Sequence, residues 1–169
     1  PAGDAVELST AVLDAGEDAA LSHQSAAHWW GNHGCRLRPI EVTRSSPSTR
    51  RSELVTLHRV RLLPARWVTT LNDVRIVRPE LVAMQLFATC TYERAERLTE
   101  RMWSDRLLSG PSLQRLLDQY ARRGRNGVGG VRQYLADRGP DYVPPASVLE
   151  ARTLQILRDA GLEFDRQVD

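Results

Sequence analysis

The stretch "IEVTRSSPSTRRSELVTLHRVRL", residues 40–62, decides how the chain reads. Residues 40–44 and 54–62 alternate apolar with polar side chains and are rich in β-branched residues, the pattern of half-buried strands. Between them "SSPSTRRS" (45–52) is too long for a tight turn and carries Pro47. The expectation is an antiparallel pair joined by an exposed, mobile, arginine-rich loop. Moving outward, "WVTTL" (67–71) and "VRIVR" (74–78) flank Asn72-Asp73, a dipeptide suited to a tight hairpin turn.

On the N-terminal side the period becomes helical. Residues 5–15 place Leu8, Val6, Val12 and Leu13 with alanines at helical spacing, and Gly16 ends the run. "LSHQSAAHWWG" reads as a second helix with Ser22 as N-cap and Gly31 past its end. From Pro79 onward the chain is helical: one helix to about Ala88, one capped by Thr91 and running toward Gly110, one from Ser112 to Gly124. A shorter helix, "GGVRQYLADRG", follows, and Pro144-Pro145 open a last one closed by Gly161, with Leu149, Thr153, Ile156 and Leu157 as its buried stripe. The fold class is therefore α+β: a helix pair, a small antiparallel sheet, then a helical array. Three parts follow: an α+β subdomain with an arginine-rich hairpin (1–78), a helical segment (79–139) and the start of a further domain (140–169).

The 169 residues suffice for a buried core. The longest apolar runs fall far short of the ~18 residues of a membrane span. No signal-peptide pattern is visible in residues 1–30, and two dissimilar cysteines, Cys35 and Cys90, make no disulfide framework. A cytoplasmic protein without membrane contact is expected. The chain opens on Pro1 rather than Met and stops where a domain starts, so both ends read as trimmed.

All 23 basic residues are arginine, a planar fork suited to phosphate or carboxylate. The net charge of +2 hides an asymmetry. Before residue 36 there are acids and no arginine; from Arg36 to Arg66 there are eight arginines against Glu41 and Glu53. That points to an anionic partner for the middle of the chain or to a solvated basic face. Arg44, Arg50 and Arg51 among serines suit phosphate oxygens, as do Arg122, Arg123, Arg125 and Arg132 around glycines that lack the Lys-Ser/Thr of a P-loop.

Other candidates read as structural. His23, His28 and His33 recur every five residues near Cys35, but that step advances a helix by about 140°, so the rings share no face. No metal site is expected from them. Trp29-Trp30 reads as core rather than a base-stacking platform. Glu93, Glu96 and Glu100, interleaved with Arg94, Arg97 and Arg101, read as ion pairs on a solvated helix face. Glu150 sits in the first turns of the last helix, an ordinary place for an acid.

Several pieces together resemble actinobacterial AbiEi-family antitoxin-like or very-short-patch-repair-like endonuclease-domain proteins. "AALSHQSAAHWWG" is similar to that group's Ser-His-x-Ser-Ala-Ala helix, and "LVTLHRVRL" to the strand carrying its His-Arg pair, here His58-Arg59. "VRIVRPELVAMQLF" resembles the next helix, with Gln85-Leu86-Phe87 where the group has an acid. "GVGGVRQYLADRG" and "SVLEARTLQILRDAGLEFDRQVD" resemble the run into its nuclease-like fold.

The resemblance implies a winged helix before Pro1 and a nuclease-like sheet after Asp169. Glu150 would be the one acid present of an incomplete catalytic set, with a divalent metal such as Mg²⁺ confined to a longer parent chain and no cofactor in this one. It further implies a noncatalytic middle module linking DNA-reading and effector domains, in an antitoxin-type transcription regulator or an endonuclease. Duplex DNA is the partner this gives, with Arg59 joining the other arginines as a phosphate contact. The alternative is a protein-interaction module that neutralises a partner toxin, docking through its acidic first helix.

Overall fold

A computed structural model describes residues 2–46, 53–120, 126–139, 142–144 and 156 of the chain. Helix α1 (Ala2–Ala15) leads into a two-residue strand β1 (Ala20–Leu21), helix α2 (His23–Trp29), and strands β2 (Ile40–Arg44) and β3 (Val55–Arg59). A 3₁₀ turn (Ala65–Trp67) precedes β4 (Val68–Leu71) and β5 (Val74–Val77). Four helices follow: α3 (Pro79–Thr89), α4 (Tyr92–Ser104), α5 (Gly110–Tyr120) and α6 (Val128–Ala136). The class is α+β, with the helical array after the sheet.

The sheet has the order β3-β2-β1-β5-β4 and is mixed. β4 and β5 form the expected hairpin, with Asn72 and Asp73 both at positive φ (48° and 63°), as the tightest two-residue turns require. β2 and β3, in contrast, pair in parallel, Ile40 opposite Val55 through Arg44 opposite Arg59. This corrects the antiparallel hairpin expected from residues 40–62. An alternation with a period of two reads the same in either direction, so it fixes which side chains share a face but not which way the strand runs. A connection of about ten residues can reach ~35 Å when extended, enough to carry the chain back along a five-residue strand.

Alternation on β2 sorts its side chains. Glu41 and Thr43 face α2 and α3, where the Glu41 carboxylate accepts from the Gln24 N–H and Thr43 Oγ1 from Gln85 Nε2. Arg44 faces the other way and donates through Nη1 to the carbonyl of Ala15, the last residue of α1. Helix α1 buries Leu8, Ala11, Val12 and Ala15, a stripe at i, i+3, i+4 and i+7, while Val6 and Leu13 stay exposed. Trp29, the last residue of α2, and Trp30, its C-cap, are half-buried against the core, their indole N–H groups donating to the carbonyls of Leu71 and Val77.

In the helical array, α3 buries an unbroken run from Leu81 to Leu86. α4 buries Ala95, Leu98, Thr99 and Met102 and ends at Ser104, several residues before Gly110. Gly110 instead opens α5, which starts through a reciprocal pair: the Ser109 N–H donates to Ser112 Oγ and the Ser112 N–H to Ser109 Oγ. Before α6, Gly127 sits at φ 83°, and a Cβ there would lie 2.0 Å from the carbonyl oxygen of Met84, so only glycine lets α6 close on α3.

Past α6, Arg138 lies over the Tyr134 ring and donates to Glu96 and Glu100. Glu100 also accepts from the hydroxyls of Tyr134 and Tyr142. Two of the acids expected on a solvated face are thus gathered around a buried guanidinium from another element. Ile156 is exposed rather than part of a buried stripe. No helix among the described residues is long and apolar enough to cross a membrane.

Candidate functional site

The polar side of β2 and the start of α2 build one cluster. Ser22 holds the N-cap position, in extended backbone, but its hydroxyl makes no cap hydrogen bond. It is 2.9 Å from Nδ1 of His23 instead. The cap is supplied from the sheet: the N–H of Gln24 donates to Glu41 Oε2 at 3.0 Å, a carboxylate at the positive end of a helix. His23 adopts φ 53°, a left-handed conformation that costs a non-glycine residue about 1 kcal/mol or more. Its own N–H is held there by Gln85 Oε1 at 3.0 Å, and Gln85 Nε2 donates to Thr43.

His58 reaches the cluster from β3. Standing opposite Thr43 in the parallel register, it brings Nε2 to 3.2 Å from Glu41 Oε1. Its ring stacks on that of His23 with centroids 3.7 Å apart and planes 24° from parallel. Among the described residues, His23, Glu41 and His58 are the group whose possible ligand atoms gather within 4.8 Å of one another. His23 is 5% exposed and the side chain of His58 27%, so the cluster runs from the core to the sheet edge.

Electrostatics follow from that placement. Burial, helped by the neighbouring His58, pulls His23 down to about 4, against the pull of Glu41, so its imidazole is neutral near pH 7. Burial pushes the Glu41 carboxyl up, but the hydrogen bond from His58, the nearby His23 and the Gln24 N–H outweigh it and leave the group below its usual value. A neutral imidazole beside an ionised carboxylate and a partly exposed second imidazole can share a proton or hold a cation.

The histidine triplet separates as its spacing requires. His28 and His33 meet edge to face, 5.3 Å between centroids, and His28 Nδ1 is tied to the carbonyl of Cys35. Burial pushes the Cys35 thiol up to about 12, so no thiolate stands there. Only His23 of the three joins the cluster. Reading by local spacing missed the site because its members come from α2, β2 and β3. The signal that could have found them is the two-residue period of the strands, which puts Glu41, Thr43, Thr56 and His58 on one face.

The arginines divide differently. Arg44, expected as an exposed phosphate contact, is fully buried and closes the end of α1, because alternation on an interior strand turns it beneath that helix. Ser45 and Ser46, at the start of the connection, are half-buried and tied by their N–H groups to Asp18 Oδ2 at 2.8 and 2.7 Å. Arg59 ends β3 and is exposed, and exposed Arg61 lines an open recess of about 530 Å³ with Gly16, Glu17, Asp18, Arg44, Ser45 and Ser46. Arg50, Arg51, Arg122, Arg123, Arg125 and Glu150 lie outside the described residues.

The stretches that carry the resemblance around Ser22-His23, His58 and Gln85 converge on this one cluster. No family model, no curated protein and no solved structure matches the chain.

Proposed function

We propose that this chain is a binding module of a cytoplasmic, DNA-associated protein, linking a DNA-reading domain to an effector domain and adding phosphate contacts. The parent on this reading is an AbiEi-like antitoxin-type regulator or an endonuclease-like protein. The observation that carries it is the position of Arg59 and Arg61: both exposed, at the end of the strand reached from the arginine-rich connection. Guanidinium groups on an edge strand and the segment beyond it can follow a phosphate backbone without entering a groove.

Duplex binding measured against salt tests this. Each lost phosphate contact flattens the slope of log K against log salt by about 0.9, so replacing both Arg59 and Arg61 with Ala should flatten it by about 1.8. The weakening should be similar for all duplex sequences, because such contacts carry no base code. An unchanged slope and affinity would remove these arginines from the interface.

One observation favours a second reading, a module that neutralises a partner enzyme. Val6 and Leu13 lie seven residues apart on α1 and are 68% and 71% exposed, an apolar pair on one face of an acidic helix. The acidic docking face itself is partly occupied, since Arg38 bonds both Asp4 and Glu7. Loss of partner inhibition in a Val6→Asp, Leu13→Asp protein that keeps its DNA binding would favour it.

A further inference from the structure

We propose that His23, Glu41 and His58 form a binding site for a divalent cation of the zinc class, with three protein ligands and an open fourth position. This goes beyond the DNA reading and stands or falls separately from it. Two imidazoles and one carboxylate are a donor set that late first-row divalent ions prefer, and three ligands leave room for a water or an anionic oxygen.

The arrangement behind the ligands is what a metal site needs. When Nδ1 of His23 donates to Ser22 Oγ, Nε2 is left with a lone pair. Glu41 has Oε2 fixed by the Gln24 N–H, which leaves Oε1 directed at His58. The left-handed backbone of His23 is pinned by Gln85, itself pinned by Thr43. A purely structural cluster would gain little from a strained residue and a stacked imidazole pair at this place. The 3.2 Å between His58 Nε2 and Glu41 Oε1 is close to the separation of two ligand atoms each about 2.0–2.1 Å from one tetrahedral zinc ion.

One rearrangement is required. Lone pairs of imidazole lie in the ring plane, and two nearly parallel planes 3.7 Å apart cannot both contain the same ion. His58 is the ring that turns, because it stands partly exposed on the edge strand while His23 is buried and held on both sides. The ion takes the place of the hydrogen bond between His58 and Glu41, so His58 must present Nε2 to it without a proton.

The test is calorimetric titration of the metal-stripped chain with Zn²⁺, together with the visible spectrum of the Co²⁺-loaded protein. One equivalent should bind, with the intense visible bands of four-coordinate cobalt. His58→Ala, at a partly exposed edge position, should keep the far-UV circular dichroism of the parent and lose affinity by more than about a hundredfold, since even outer partners of metal ligands cost 10–100-fold. Glu41→Gln should do likewise, and His33→Ala should bind as the parent does. Failure of the parent to bind, or binding undiminished in His58→Ala, would overturn the proposal, as would binding lost in His33→Ala but kept in Glu41→Gln. Duplex affinity of the same metal-stripped protein reports on the arginines alone, so the two readings fail separately.

Discussion

Two polar clusters come from different halves of the sequence, and they are finished differently. Around Arg138, the guanidinium meets Glu96, Glu100 and the Tyr134 carbonyl, while Glu100 also accepts two tyrosine hydroxyls. One guanidinium is shared by two carboxylates and all three of its nitrogens donate, as a buried cation needs if it is to hold elements together. Around His23, by contrast, one ring nitrogen is held by Ser22, one carboxylate oxygen of Glu41 is fixed by the Gln24 N–H, and the other meets the partly exposed His58, whose ring stacks on His23. A closed network fastens structure, whereas an open one, supported from behind, is placed to bind.

The largest effect expected is on the closed network. Arg138→Ala leaves Glu100 and Glu96 without their cation, and removing one partner of a buried pair costs about 3–5 kcal/mol. Urea unfolding of the variant should show a loss of that size, and a loss below about 1 kcal/mol would mean that this network is solvated rather than buried.

A smaller effect comes from pH in metal-free protein. His23 is held down to about 4 in the fold, while an unfolded chain takes up that proton near the ordinary value of 6.5. The unfolded state therefore binds more protons between those values, and stability falls as pH drops from about 6.5 toward 4. The upper bound is about 3 kcal/mol, at 1.36 kcal/mol per unit. His23→Asn, which tolerates left-handed backbone, should flatten that part of the pH profile. A profile unchanged by the substitution would mean that His23 is not the group responsible. The smallest effect on folding is expected from Arg59→Ala and Arg61→Ala, below about 0.5 kcal/mol, since both are exposed.

Turn and cap chemistry made much of the fold legible. Asn72-Asp73 marked the β4–β5 hairpin, Pro79 the start of α3 and Gly31 the end of α2, because each residue has a backbone requirement of its own. Strand direction was not legible, since residues 40–44 and 55–59 present the same faces whether parallel or antiparallel. The site was less legible still. Ser22 reads as an N-cap and occupies that position, yet the capping oxygen comes from Glu41 and frees the serine for His23. Arg44 reads as a surface cation because it adjoins a basic loop, and tertiary packing turned it inward. Glu100 reads as one half of a local helix pair, and its partners come from far along the chain.

The contrast between the two clusters is tested most directly by thermal melting of Glu41→Gln and Glu100→Gln, each with and without Zn²⁺. Glu100→Gln should melt at a lower temperature than the parent and keep the full zinc-induced rise, because its network binds nothing. Glu41→Gln should lose the zinc-induced rise, because ligand binding to the folded state alone raises the midpoint. A zinc-induced rise that survives in Glu41→Gln, or that vanishes in Glu100→Gln, would contradict the assignment of binding to the sheet cluster and of structure to the helical one.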